Sequence, residues 1–354
     1  MQSRLELLRP LIAKAEADVL LVSSPENRRY LTGFTGSAGT VVVAPEHAWL
    51  VADFRYWQQA TEQAPDFELA RLEIPRKVED VLSDLIADQG WRRVGIEADH
   101  LTVETFDTLG EALSKAGAEL VKTKGLIAGL RQVKDVDEVR RIQAAVDLTD
   151  QAMAHAQTLL RPGVTEAEVA WQVEMYMRTH GAEGIAFPTI VAFGPNSALP
   201  HYHAGDRVLQ AGEPIVIDMG ATVDGYRGDL TRSFCLPPVD PRFAELYSIV
   251  LEALETAKRG LHAGLTGKQA DSIARDLIAE RGFGPEFGHS LGHSLGLEIH
   301  EKPALSQRNE DPIAAGTIET VEPGIYLPGW GGVRIEDVVV VEEDSVRTLT
   351  GAPR

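Results

Sequence analysis

An α/β domain followed by an α+β domain with an internal pseudo-twofold duplication is the fold class this sequence predicts. Three observations predict it. Residues 1–125 alternate helical and strand-like apolar patterns. From Lys134 onward, a helix–turn–helix pattern recurs with a shift of 101 residues. Finally, Asp218 with Asp229 and Glu322 with Glu336 lie inside strand-like runs, on either side of a glycine–histidine stretch, 288–300.

The elements can be justified in order. Leu5, Leu8, Leu11 and Ile12 give an apolar helical stripe, and residues 18–23 then read as a buried strand. Residues 39–44 and 48–52 are two more apolar runs, joined by a turn at Pro45-Glu46-His47. A helix follows near 78–87, then a strand at 94–97 and a helix opened by Thr102. This domain shows no obvious chemistry. Arg28, Arg29, Tyr30, Asp53, Arg55, Tyr56 and His100 read as a solvated loop face, and the Gly-rich run 33–39 as a mobile or close-approach loop. The polar, glycine-containing passage before Lys134 reads as a linker, 126–133, separating residues 1–125 from 134–354.

In the second domain, Ala152, Ala156, Leu160, Gly163, Thr165 and Gly181 recur as Ala253, Ala257, Leu261, Gly264, Thr266 and Gly282. Both copies carry a capping box, Thr165 with Glu168 and Thr266 with Gln269. A duplicated ααββ unit with a site at its junction is the expectation. Asp224-Gly225 between two apolar runs is a hairpin turn signal. Either neighbouring register leaves Asp218 and Asp229 on one face, roughly 5–8 Å apart. Such acids repel unless a cation or a shared proton intervenes. Glu322 and Glu336 repeat the theme, with apolar neighbours that leave a carboxylate needing a partner. Glycine at every fourth position of 288–296 argues against a helical zinc face and for a tight loop with an extended segment. Four acids and one imidazole suit a manganese, cobalt, iron or catalytic zinc ion.

Composition narrows the function classes. Of 354 residues, 44% are apolar and 25% charged, and the formal charge of −19 disfavours nucleic acid or an anionic membrane as a partner. Cys235 is the only cysteine, so any metal must use N and O ligands. Charged residues interrupt every early apolar run, and no run approaches the ~18 residues of a membrane span. A cytoplasmic protein is expected.

Taken together and in this order, the acid and histidine motifs resemble the proline-specific metallopeptidases of the pita-bread fold, aminopeptidase P and prolidase. The passages that carry the resemblance are Leu199-Pro200-His201, Ile217-Asp218-Met219-Gly220, Gly228-Asp229-Leu230-Thr231-Arg232, the segment 292–301, Val321-Glu322-Pro323-Gly324 and Arg334-Ile335-Glu336-Asp337. The resemblance covers most of the chain and is strongest after Lys134. It implies that residues 1–125 form a creatinase-like α/β domain and 134–354 the peptidase domain. Asp218, Asp229, His293, Glu322 and Glu336 would bind two divalent ions, most often Mn²⁺, with Co²⁺ or Zn²⁺ as alternatives.

A hydroxide between the two ions would attack the peptide bond, and Glu322 would relay its proton. His201 and His300 would hold substrate and stabilise the tetrahedral intermediate, and His289 and Arg334 would sit near the leaving proline. The substrates implied are short proline-containing peptides. The assembly implied is a homodimer in which the first domain borders a neighbouring active site. His203, His155, His180 and His262 are read as structural or exposed. The short loops suggest an open cleft, so the reading leans to Xaa-Pro aminopeptidase, with the Xaa-Pro dipeptidase as alternative. A methionine aminopeptidase fits less well, because it lacks the first domain and the Leu-Pro-His passage. A non-catalytic binder is disfavoured by the complete ligand set.

Overall fold

The computed structural model describes residues 3–354, which form two compact units that divide between Arg131 and Gln132. In the first unit six strands, β1 Val19–Val22, β2 Thr40–Val43, β3 Ala48–Asp53, β4 Glu68–Leu72, β5 Arg93–Glu97 and β6 Glu119–Thr123, form one mixed sheet in the order β4-β3-β2-β1-β5-β6. Six helices accompany it: α1 Arg4–Lys14, α2 Pro25–Thr32, α3 Trp57–Gln63, α4 Val78–Gln89, α5 Val103–Lys115 and α6 Leu126–Arg131. Val19, Leu21, Val94, Ile96, Ile86 and Leu113 fill the core between sheet and helices. Thr102 caps α5 as its sequence position suggests, its side chain accepting from Thr105 N.

Two expectations change here. Residues 126–131 are not extended linker but helix α6, with Ile127 and Arg131 buried, and the chain divides after Arg131. Arg28 and Tyr30 are not solvated but buried on α2: Arg28 is 3% exposed and donates to Gly36 O and Gly39 O, each at 2.8 Å. Loop carbonyls that would otherwise lack partners draw the guanidinium inward. His47 and His100 are exposed, as read.

The second unit consists of two matching halves. In the first, α7 Val136–Leu159 and α8 Glu166–Thr179 precede β7 Gly184–Ile185, β8 Ile190–Phe193, β9 Pro214–Met219, β10 Ala221–Val223, β11 Tyr226–Arg227 and β12 Leu230–Cys235. In the second, α9 Pro241–Gly260 and α10 Gly267–Glu280 precede β13 Gly292–Ser294, β14 Glu301–Leu305, β15 Ile318–Val321, β16 Gly324–Leu327, β17 Gly331–Arg334, β18 Asp337–Val341 and β19 Val346–Thr348. The 101-residue repeat is visible in the backbone. Thr165 and Thr266 each cap a 14-residue helix with a complete capping box. Each threonine also forms an isolated antiparallel bridge, to Val208 and Pro312 respectively. Gly163 and Gly264, in the turns before those helices, share φ near +90° (96° and 91°), a conformation that costs glycine nothing. Each half has its own core. Met153, Val169, Val173, Phe193 and Ile217 lie in the first; Leu254, Ala274, Ile278, Ile325 and Val339 lie in the second.

Each half also contributes a hairpin that changes sheets part-way along. Asp224 and Gly225 turn the first one with φ of 47° and 74°, as the type I′ signal predicts. Thr222 pairs with Arg227, and Asp218 with Thr231, so Gly220 stands opposite Asp229. The ladder breaks there: β9 and β12 belong to one sheet, β10 and β11 to another. In the second hairpin Val321 pairs with Asp337 and Gly324 with Arg334, which puts Glu322 opposite Glu336. Again the ladder breaks at that pair, because β15–β18 and β16–β17 lie in different sheets. The sequence suggested two unbroken strands here. Pro323, which has no N–H for a ladder, marks the interruption.

Candidate metal centre

The two hairpin breaks bring their acids together. Asp218, Asp229 and Glu336 each present an oxygen within 4.8 Å of the others. All three are buried. His293, at the centre of β13, places Nε2 3.6 Å from Asp229 Oδ2 and 3.5 Å from Glu322 Oε1. Its Nδ1 lies 3.1 Å from the carbonyl oxygen of Ser294, which can only accept, so the neutral ring carries its proton on Nδ1. The Nε2 lone pair therefore faces the carboxylates, the tautomer a metal ligand requires.

Each hairpin supplies a hydroxyl that orients an acid. Thr231 donates to Glu336 Oε2 at 2.8 Å while accepting from Arg334 Nε at 3.0 Å. Thr320 donates to Glu322 Oε1 at 3.2 Å while accepting from the His293 backbone at 3.0 Å.

Electrostatically the cluster is frustrated. Burial, then the neighbouring Glu336 and Asp218, push Asp229 well above the usual carboxylate range. Burial, then Glu322 and Asp218, do the same to Glu336. Glu322 is raised by burial, partly offset by His289 and Arg334. Burial lowers His293, His289 and His300. Asp218 Oδ1 and Glu336 Oε1 are buried without any hydrogen-bond partner. Unpartnered inward oxygens, an oriented imidazole lone pair and an excess of carboxylate over cation form a donor set that fits divalent metal.

Arg334 answers part of this charge. It reaches Asp218 Oδ2 at 2.5 Å and Tyr326 Oη at 2.9 Å. Burial alone would weaken its charge, but Tyr326, Asp218 and Glu322 outweigh that and hold it above its ordinary value. Tyr326 in turn lies 2.8 Å from His289 Nε2, and His289 Nδ1 lies 2.8 Å from Ser290 O. The acceptor carbonyl fixes the proton on Nδ1, so Tyr326 donates to Nε2. Both nitrogens of His289 are therefore engaged within the protein.

All nine residues singled out from the sequence, His201, Asp218, Asp229, His289, His293, His300, Glu322, Arg334 and Glu336, line one cavity of about 530 Å³. His201 and His300 are exposed at its wall. The His293 and His300 rings meet edge to face, 4.5 Å apart. His203, read as structural or exposed, is exposed but also lines this cavity. His155 and His180 stack on opposite sides of Tyr176 instead, at 4.6 and 3.9 Å. His262 bonds the neighbouring Ala263 carbonyl. The sequence reading missed Tyr326, Thr231 and Thr320, and also the apolar wall of Phe187, Ile190 and Ile299. The continuous apolar run of β16 and a threonine two residues from each of Asp229 and Glu322 were the available signals.

A duplicated unit with a hairpin-borne acid cluster defines a metallopeptidase of the pita-bread class. Residues 140–343 match metallopeptidase family M24, and residues 4–133 match the creatinase/prolidase N-terminal domain; the chain belongs to this family. Among its relatives is the Xaa-Pro dipeptidase of Pyrococcus furiosus, 36% identical over all of this chain and 99% of that one. Among solved structures, the Xaa-Pro dipeptidase from Bacillus anthracis superposes with a TM-score of 0.96 at 39% identity, covering 99% and 97% of the two chains. The X-Pro aminopeptidase from Thermotoga maritima gives 0.90 at 38%, covering 96% and 98%. No helix among the described residues is long and apolar enough to cross a membrane.

Proposed function

We propose that this metallopeptidase is an Xaa-Pro dipeptidase. The reading rests on one observation above all: five candidate ligands, two exposed imidazoles and a buried guanidinium face a single cavity. Dipeptidase is preferred to the aminopeptidase expected from the short loops, because full-length relatives from Pyrococcus furiosus, Pyrococcus horikoshii and Bacillus anthracis carry that name. The Thermotoga relative, equally full in coverage, keeps the aminopeptidase as the second reading.

In this reading Asp218, Asp229, His293, Glu322 and Glu336 hold two divalent cations, Mn²⁺ first among the candidates. Bound there, such ions would polarise the scissile carbonyl and lower the pKa of a water. The protein's own groups do the rest. Glu322 receives the water proton on its carboxylate and passes it to the departing imide nitrogen. His201 and His300 donate to the oxygen that becomes negative as the carbonyl is attacked. Arg334 offers positive charge to the carboxylate of the leaving proline. Four of its N–H groups are already engaged, by Thr231, Pro200, Tyr326 and Asp218, so one is left for substrate. Tyr326 and His289 hold that guanidinium in place. The expected assembly is a homodimer, for which light scattering should return twice the 38.5 kDa chain mass.

Comparing kcat/KM on Xaa-Pro with that on Xaa-Pro-Yaa peptides, in Mn²⁺, tests the substrate. The dipeptide should be better by tenfold or more, about 1.4 kcal/mol in transition-state binding. The reverse preference would install the aminopeptidase.

A further inference from the structure

Immediately before α7 stands Lys134, whose side chain is 1% exposed. Its Nζ donates to Ser294 Oγ at 2.9 Å and to Glu301 Oε2 at 3.3 Å. These two acceptors have a common position. Ser294 follows His293 in the chain, and Glu301 follows His300. They pair with each other between β13 and β14, just past a register shift at His293/Ser294. Lys134 thus bridges the two residues that close the loop between the histidines, and its own backbone N–H is fixed on Gly316 O at 3.0 Å.

The loop is packed around the same carboxylate. Glu301 Oε1 accepts from Glu298 N at 3.1 Å. A Cβ on Gly296 would lie 2.6 Å from that oxygen, so a larger residue there would push the carboxylate from its place. Glu319, opposite Ser294 on β15, adds a second carboxyl that is wholly buried with neither oxygen hydrogen-bonded. Burial drives it well above the usual carboxylate range, only partly offset by Lys134.

We propose that Lys134 is a positioning residue that sets the separation and tilt of His293 and His300 by tying together the residues that follow them. This deepens the peptidase reading and rests on it. A misplacement of about 1 Å at such a pair is enough to cost on the order of 100-fold in rate.

The test uses full-length protein, Mn²⁺ and a leucine–proline dipeptide. Lys134→Met removes the tie, and Lys134→Met/Glu301→Gln removes it without stranding a buried charge. The double variant should keep the wild-type melting temperature within a few degrees. Its kcat should fall roughly 10- to 100-fold with KM little changed, and Mn²⁺ affinity by dialysis should weaken because His293 has shifted. In a His300→Ala background the same substitutions should cost less in kcat than they do with His300 present, because only the part of the effect that runs through His293 remains. An equal loss in both backgrounds, or an unchanged kcat and Mn²⁺ affinity in the charge-neutral variant, would overturn the proposal. If Lys134→Met alone does not fold, the double variant decides. Wild-type protein that binds Mn²⁺ but leaves the dipeptide intact would defeat the substrate reading, and the Mn²⁺ affinities would still decide the role of Lys134.

Discussion

In the first half of the peptidase unit, the carboxylate of Glu166 at the start of α8 gathers the chain that carries His201. It accepts from Phe193 N, Asn196 Nδ2, Tyr202 Oη and Gly205 N at 2.8–3.2 Å. In the second half, the position 101 residues later is Gly267, where a Cβ would come within 2.2 Å of Ala304 O. The corresponding work has moved one turn along α10. Asp271 accepts from Leu291 N at 3.0 Å and binds Arg275 through two nitrogens, and Arg275 reaches the carbonyls of Phe287 and His289. Caps and left-handed glycines kept their places because the backbone geometry itself demands them. A buried carboxylate that satisfies a loop has no fixed address: any position from which it can reach the orphaned N–H groups serves.

This comparison can be broken most directly at the acids. Asp229→Ala in the first half and Glu336→Ala in the second should each abolish hydrolysis and deplete bound Mn²⁺. The expected loss exceeds the ~10–100-fold typical of groups that merely support a ligand. Metal analysis and kcat on the same preparations check it; an active, metal-replete variant of either would show that the halves do not share the site. The hubs come next. Glu166→Gln and Asp271→Asn should each lower stability by about 1–3 kcal/mol, since buried donors lose their charged acceptor. Chemical denaturation measures this, and the Glu166 change should also raise KM through the His201 loop. If only one of the two hubs matters, the functional equivalence drawn above is wrong. The smallest effects are expected at the caps. Thr165→Ala and Thr266→Ala should cost about 1 kcal/mol apiece, and a clear inequality in denaturation midpoints would mean that only one of the two caps bears weight.

Much of this was legible in the sequence because it was written in local rules. The caps, the Asp-Gly turn, the glycine-spaced histidines and the acids within apolar runs each follow from chemistry a few residues long. What was not legible depends on partners that only the folded chain selects. Lys134 looks like an ordinary charged residue before a helix, yet its partners are 160 and 167 residues away. Arg28 looked solvated because the sequence does not show that the glycine-rich run 33–39 folds back to place its carbonyls around the guanidinium. Tyr326 sits in a short apolar strand that predicts burial but not a hydroxyl caught between Arg334 and His289.

The sheet-switching hairpins also bear on how the polypeptide matures. Asp218 and Glu336 are 118 residues apart, and each half contributes only two of the four acids. A nascent chain that has completed the first half holds one carboxylate pair and no His293. Under the proposed metal reading, tight capture of cations would belong at the end of folding, after both halves are in place, and would stabilise only that completed state. Metal uptake would then serve as a record of successful assembly, and a chain stalled half-way would leave the cell's metal ions alone.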